Sequence, residues 1–224
     1  MLGKSILKIV KYLKYPKPAS IIIRHSERPK IYSAKDNTGV GLTENGKKEA
    51  KLFGNRLRGK YSSMHLMYSP VLRCKETALN IGEGFESNKN EIHVVGPTSF
   101  LGGSYLIDVD KALDKADELG SEFIRAWFDG ELSQNMLKPL KDSTEEHLMH
   151  LVKDLKSLES EDSVSLYITH DWNTMVIREG LFSLKHEDIG FPDFMDGFVF
   201  TKDSEGIFAY YKTKEDIIKK NVDV

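Results

Sequence analysis

Two histidines stand 145 positions apart, each at the end of an apolar, strand-like run: Ile21-Ile22-Ile23-Arg24-His25-Ser26-Glu27-Arg28-Pro29 and Ser165-Leu166-Tyr167-Ile168-Thr169-His170-Asp171. Between them lies Tyr68-Ser69-Pro70-Val71-Leu72-Arg73-Cys74-Lys75-Glu76-Thr77-Ala78. These residue types suit phosphoryl transfer. A neutral imidazole can attack phosphorus and carry the group as a phosphohistidine. The group in transfer spreads its charge over its equatorial oxygens, so positioning and charge stabilisation dominate. Arginine serves there because its planar fork binds two oxygens and stays charged. His25 is the candidate nucleophile. Arg24, Arg28 and Arg73 are candidate phosphate ligands, with His170 a further ligand from the opposite side. Asp171 can protonate the departing oxygen, then take a proton from the hydrolytic water.

The elements that must position these groups follow from patterning. Ile21 to Arg24 is β-branched without polar alternation, as in a strand buried on both faces. Thr43 reads as the N-cap of a helix carrying Ala50, Phe53 and Leu57 and closed by Gly59. His65 to Tyr68 is a second strand, Val71 to Ile81 a helix stopped by Gly82 and Gly84, and Ile92 to Val95 a third strand. Residues 96–141 are less regular, broken at Gly102-Gly103 and helical in pattern from Tyr105 to Phe128. A helix from Thr144 to Leu158, capped by Ser143 or Thr144, precedes a strand from Val164 to Ile168. A helix from Thr174 to Leu181 follows, with Asp171 a candidate cap, and Phe194–Phe200 with Ile207–Tyr211 form a closing hairpin. Alternating strands and helices predict a three-layer α/β/α domain with a mostly parallel central sheet and a helical insertion over the site. That domain spans 16–224, with the insertion at about 96–141, and an amphipathic helix occupies 1–15. Ligands of such sheets bind beyond the carboxyl ends of strands, where His25, Arg73 and His170 fall.

On these segments the chain resembles the histidine phosphatase superfamily, which includes phosphoglycerate mutases and histidine acid phosphatases. Arg24-His25-Ser26 is similar to the family's Arg-His-Gly motif, and Ser69 to Ala78 matches its Ser-Pro-x-x-Arg-x-x-x-Thr-Ala segment in full. Leu42-Thr43-Glu44-Asn45-Gly46 matches a Leu-Thr-x-x-Gly helix opening, and His170 stands like the family's late histidine. The resemblance runs in order from about residue 20 to 180. It implies a metal-independent phosphomonoesterase working through a phosphohistidine on His25, with no cofactor.

Two departures matter. Ser26 replaces the usual glycine, which reduces backbone freedom beside the nucleophile and adds a candidate hydrogen-bond donor to phosphate. The glutamate acid of the mutase-like branch has no match between Gly96 and Gly130. His170-Asp171 resembles the acid-phosphatase branch instead, where the aspartate is the proton donor. Arg28 is similar to that branch's extra arginine, with Pro29 one position early. Asp171 is therefore the first candidate acid, with Glu27 and the carboxylates from Asp108 to Glu131 in reserve. Two alternatives stay open: a phosphomutase using the same residues, and a phosphate-binding regulatory protein with little turnover, which Ser26 keeps in play.

Composition narrows the partners. With 224 residues, 40% hydrophobic and 29% charged, the chain reads as a soluble globule with a well-buried core. A net charge of −2 offers no basic field for nucleic acid. The single Cys74 excludes an internal disulfide framework and suits a reducing, cytoplasmic setting. Lysines at 4, 8, 11 and 14 interrupt the apolar run Leu2–Leu13, which is neither a signal peptide nor a membrane span. It is a helix packed on the domain or an interfacial anchor, so peripheral membrane contact through residues 1–14 is open. Gly54 to Lys60 imitates a phosphate-binding loop, but Tyr61 stands where Ser or Thr would hold magnesium. His147 and His150 read as a surface helix face, and no metal site is expected. Cys74 reads as a small packing residue. The expected partner is a small phosphorylated substrate or a phosphopeptide, which Lys30, Lys35, Lys138 and Lys141 are placed to attract. No motif speaks to the substrate's body or to oligomeric state.

Overall fold

In the computed structural model, residues 1–13, 17–32 and 39–223 are described. Lys14, Pro16 and Lys35 lie outside them. The run Ala19–Arg24 forms β1, and Ser163–Thr169 forms β4, buried along its whole length. β2 (Ser63–Tyr68) and β3 (Glu91–Pro97) complete the parallel part of the sheet, while β5 (Gly197–Asp203), β6 (Gly206–Lys212) and β7 (Ile217–Asn221) run antiparallel. The order is β3-β2-β4-β1-β5-β6-β7. Pairing of Arg24 with Thr169 and of Tyr68 with Ile168 brings the carboxyl ends of β1, β2 and β4 level.

Helices cover both faces. One core cluster joins Ile21 and Ile23 to α1 (Lys4–Tyr12), α2 (Glu44–Leu57) and α3 (Leu72–Phe85). The other joins Ile22 to α6 (Leu140–Ser157) and α7 (Asp171–Phe182). The expected three-layer architecture is thus observed. A third cluster, around Tyr105, Trp127 and Met175, ties the insertion's α4 (Val109–Leu119) and α5 (Phe123–Phe128) onto α7. The short α8 (His186–Ile189) follows α7.

Several sequence expectations need correction. Gly82 and Gly84 do not stop α3, which runs on to Phe85. A Cβ at Gly84 would strike the Lys51 carbonyl oxygen, and one at Gly54 the Ile81 carbonyl oxygen. These glycines therefore let α2 and α3 touch backbone to backbone; close approach, not helix termination, explains them. Thr43 does cap α2, accepting from Gly46 N at 2.9 Å, but that helix ends at Leu57, before Gly59. α6 begins at Leu140 behind Pro139, so Ser143 and Thr144 are interior; their hydroxyls donate to the Pro139 and Leu140 carbonyls. α7 starts at Asp171 with His170 in the cap position, so Asp171 is not the N-cap. The closing strand starts only at Gly197, which leaves Phe194 in a loop, and β7 was not foreseen.

The amphipathic helix α1 buries Ile6, Ile9 and Val10 in the first core cluster. Its apolar face packs on the domain, as the first of the two readings of this helix has it. Among the described residues, no helix is long and apolar enough to cross a membrane.

Candidate active site

The parallel ladder extends one residue past the strands. His25 N donates to Thr169 O at 2.8 Å, and Ser69 N to Ile168 O at 2.9 Å. His25, Ser69 and His170 therefore share one rim of the sheet. The two imidazoles meet nearly edge to face, with ring centroids 5.6 Å apart.

Hydrogen bonding sets the tautomer of each ring. His25 Nδ1 lies 2.8 Å from the Ser26 carbonyl oxygen, which can only accept. Nδ1 thus carries the proton, and in the neutral ring Nε2 carries the lone pair. Burial, reinforced by His170, Arg24 and Arg73, holds the His25 pKa well below its ordinary value. His170 has the opposite tautomer. Arg73 Nη2 donates to its Nδ1 at 3.0 Å, so its Nε2–H faces Ser69 Oγ at 2.8 Å. Burial, then Arg73, lowers its pKa to about 3. Both ring nitrogens are engaged, so His170 here fixes Arg73 in place.

Arg24 is gripped from several sides. Its Nη2 lies 2.8 Å from Asp171 Oδ2, and its Nη1 donates to Pro192 O at 2.6 Å. The guanidinium carbon sits 4.4 Å from the Phe194 ring centroid. Phe194 also flanks His25, with centroids 5.8 Å apart. Burial pushes the Asp171 pKa up, but Arg24, His170, the Trp172 N–H and Arg28 outweigh it and hold the carboxyl below its usual range. Asp171 is therefore ionised in this state. Arg28 donates to Pro29 O at 2.8 Å.

His25, Arg28, Arg73, His170 and Asp171 line one cavity of about 330 Å³, walled further by Tyr105, Leu106, Trp172 and Asp117. Arg24 stands behind it, against Asp171. The structure thus gathers all six residues singled out from the sequence around one rim.

Ser26 is not aimed at this cavity. Its hydroxyl donates to Gly46 O at 2.8 Å and its N–H to Thr77 Oγ1 at 3.0 Å, while Thr77 donates to Arg73 O at 2.7 Å. This chain of bonds ties the loop after His25 to α2 and α3 and gives the threonine of the Ser69–Ala78 segment a structural role. Ser26 is absent from the positive-φ residues, so its backbone has no need of glycine. Glu27 also turns away: Thr43 Oγ1 and Asn45 Nδ2 each donate to its carboxylate at 2.7 Å. Of the reserve acids between Asp108 and Glu131, Asp117 is the one that lines the cavity.

Other expectations resolve similarly. His147 is buried, not surface-facing: its Nδ1 donates to Ser143 O at 2.7 Å, and its Nε2 lies 2.6 Å from the Asn173 side-chain amide. His150 stacks on Phe100. Cys74 packs with Sγ 3.6 Å from His170 Nε2, and burial raises its pKa to about 12. Lys138 pairs with Glu146 and Lys141 with Glu145, and neither lines the cavity. Sequence reasoning missed Phe194, Tyr105 and Trp172 as parts of the site. Phe194 was masked by an apolar run that reads as strand; Pro192 two residues earlier was the signal that the run begins as a loop.

Residues 20–94 match the family model described as histidine phosphatase superfamily (branch 1). Across the whole fold, the native structure of mycobacterial glucosyl-3-phosphoglycerate phosphatase aligns with a TM-score of 0.54 at 14% identity, covering 91% of this chain and 96% of that one. The chain has the histidine phosphatase fold. The resemblance read from its motifs is borne out. A second structure of the mycobacterial phosphatase, with VO3, aligns at a TM-score of 0.54 and 16% identity, covering 82% and 92%. Mycobacterial hydrolase 2 aligns at 0.52 and 16%, covering 91% and 88%. No curated protein matches the chain. Within this histidine phosphatase fold, the family-model match takes in Arg24, His25, Arg28 and Arg73, while His170 and Asp171 lie beyond it.

Proposed function

We propose that this protein is a metal-independent phosphomonoesterase acting through a phosphohistidine on His25. The observation that carries the reading is the 2.8 Å contact from His25 Nδ1 to Ser26 O, which puts the lone pair on Nε2 in a ring that burial keeps neutral. Arg24, Arg28 and Arg73 supply positive charge for the phosphoryl oxygens, and a fold shared with a named phosphatase agrees with this role.

In the first half-reaction His25 Nε2 forms a bond to phosphorus and the ester P–O bond breaks. Arg24 turns from Asp171 to the phosphate oxygens. Losing that cation and gaining an anionic neighbour raises the Asp171 pKa, so the carboxyl takes up a proton and delivers it to the leaving oxygen. In the second half-reaction ionised Asp171 accepts a proton from water, whose oxygen attacks phosphorus; the P–N bond breaks, inorganic phosphate leaves, and Asp171 gives its proton to solvent as Arg24 returns to it. His170 holds Arg73 and meets the phosphate as the Arg73 fork swings onto it. The cavity, about 330 Å³, suits a small ester.

A hydrolysis screen over nitrophenyl phosphate, sugar phosphates, nucleotides, inositol phosphates and phosphopeptides tests this. Inorganic phosphate should appear, a chelator should leave the rate intact, and His25→Ala should reduce it to background. Transfer to a second hydroxyl without free phosphate would make it a mutase, and absence of turnover would favour a phosphate-binding regulator. Activity that requires added magnesium or zinc would overturn metal independence.

A further inference from the structure

A second cavity, larger than the one at His25, lies on another part of the molecule. A space of about 870 Å³ opens between the amino end of α1, the loop from Asp188 to Asp196 and the β6–β7 connection, with Arg178 on its wall. Arg178, on α7, is only 2% exposed. Its Nη2 donates to Gly190 O at 2.7 Å and its guanidinium also hydrogen-bonds Tyr211, a neutral partner, while its Nε has no hydrogen-bond partner among the described residues. A buried cation without an anion is costly, so it points to a ligand that brings the charge. The half-buried carboxylate on this wall, Asp196, is taken by Ser5 Oγ at 2.6 Å and Tyr211 OH at 3.1 Å. Burial raises its pKa, which weakens it as a counterion. The remaining acids, Asp188, Asp193, Glu215 and Asp216, are exposed at the rim, where water screens them; exposed Lys4, Lys8 and Lys214 share that rim.

The same loop reaches the candidate active site. Gly190 is tied to Arg178; two residues on, Pro192 O holds Arg24, and Phe194 lies under Arg24 and beside His25. Met195, at φ +59°, donates its N–H to Arg24 O at 3.1 Å. A left-handed non-glycine residue stores strain that neighbouring contacts must hold.

We propose that the Arg178 cavity is a second anion-binding site, separate from the His25 site, for a small metabolite bearing a phosphate or carboxylate. Its occupancy is felt at Arg24 through the loop from Gly190 to Asp196. An anion that takes the Arg178 fork competes with Gly190 O for its donors and loosens the loop's hold on Arg24.

Equilibrium dialysis with labelled inorganic phosphate and, separately, labelled citrate tests the site on protein carrying Arg73→Ala, which weakens phosphate at the His25 site. At least one anion should bind at one equivalent, and the preferred one identifies the chemistry. Arg178→Met should weaken it at least tenfold. Lys8→Glu, at an exposed position that leaves folding intact, should weaken it severalfold, so the test stands even where Arg178→Met fails to fold. Binding of neither anion, or binding unchanged by Lys8→Glu and Arg178→Met, would overturn the site. In protein with Arg73 intact, the bound anion should change kcat for nitrophenyl phosphate, with the change lost in Lys8→Glu. An unaltered kcat at saturating anion would overturn the coupling.

Discussion

Arg24 Nη2 and Asp171 Oδ2 sit 2.8 Å apart, so the group assigned to grip phosphate and the group assigned to protonate its leaving oxygen hold each other in the resting site. In the proposed mechanism the pair orders events: Asp171 stays ionised until phosphate draws Arg24 away, and only then becomes an acid.

Asp171→Asn keeps the shape of the side chain but removes the proton. Alkyl phosphates leave as basic alkoxides and need that proton, whereas nitrophenyl phosphate leaves as a stable phenolate. Single-turnover phosphorylation should fall by roughly 10²-fold or more for an alkyl ester and only severalfold for nitrophenyl phosphate. Equal, small losses would pass the acid role to Asp117, which lines the same cavity.

Ser26→Gly should cost stability rather than rate. It deletes the buried 2.8 Å hydrogen bond to Gly46 O and loosens the backbone, worth about 1–2 kcal/mol together. Denaturant unfolding should show that loss while kcat stays within about threefold, because the hydroxyl faces α2. A fall in kcat larger than tenfold would mean that Ser26 reaches the phosphate.

Acid should destabilise the protein through its buried histidines. His25, His147 and His170 all have lowered pKa values, each led by burial, and His170 falls to about 3. Between that value and the ordinary 6.5 the unfolded chain binds more protons than the native one, so stability falls as pH drops. The slope approaches ~1.4 kcal/mol per pH unit for each histidine that stays neutral. Asp171, depressed below its ordinary 3.8, acts only at lower pH. Urea unfolding from pH 7 to 4.5 should show this fall, and His147→Gln should flatten it. A slope unchanged by that substitution would mean that His147 titrates normally in the native state.

The candidate constellation was legible because the proposed chemistry demands these residue types and they lie next to strands that announce themselves. Ile21 to Ile23 and Leu166 to Ile168 are buried on both faces, and apolar runs of that kind end at the rim where polar groups collect. Gly84 misled because glycine as a helix stop and glycine as a helix–helix contact look alike in one chain; only the approach of Lys51 O tells them apart. The tautomers of His25 and His170, the grip of Phe194 and Pro192 on Arg24, and the cavity at Arg178 depend on contacts between segments far apart in sequence. Local pattern carries no record of these.

The central claim is that His25 attacks through Nε2, and the most direct measurement is the position of phosphate on the trapped enzyme. Protein exposed briefly to labelled substrate and quenched in base should carry acid-labile, base-stable phosphate. Peptide mapping should place it on His25, and nitrogen–phosphorus coupling in NMR spectra should place it on Nε2, since Nδ1 is bound to Ser26 O at 2.8 Å. Phosphate on Nδ1, on His170, or on an acid-stable ester would contradict the account.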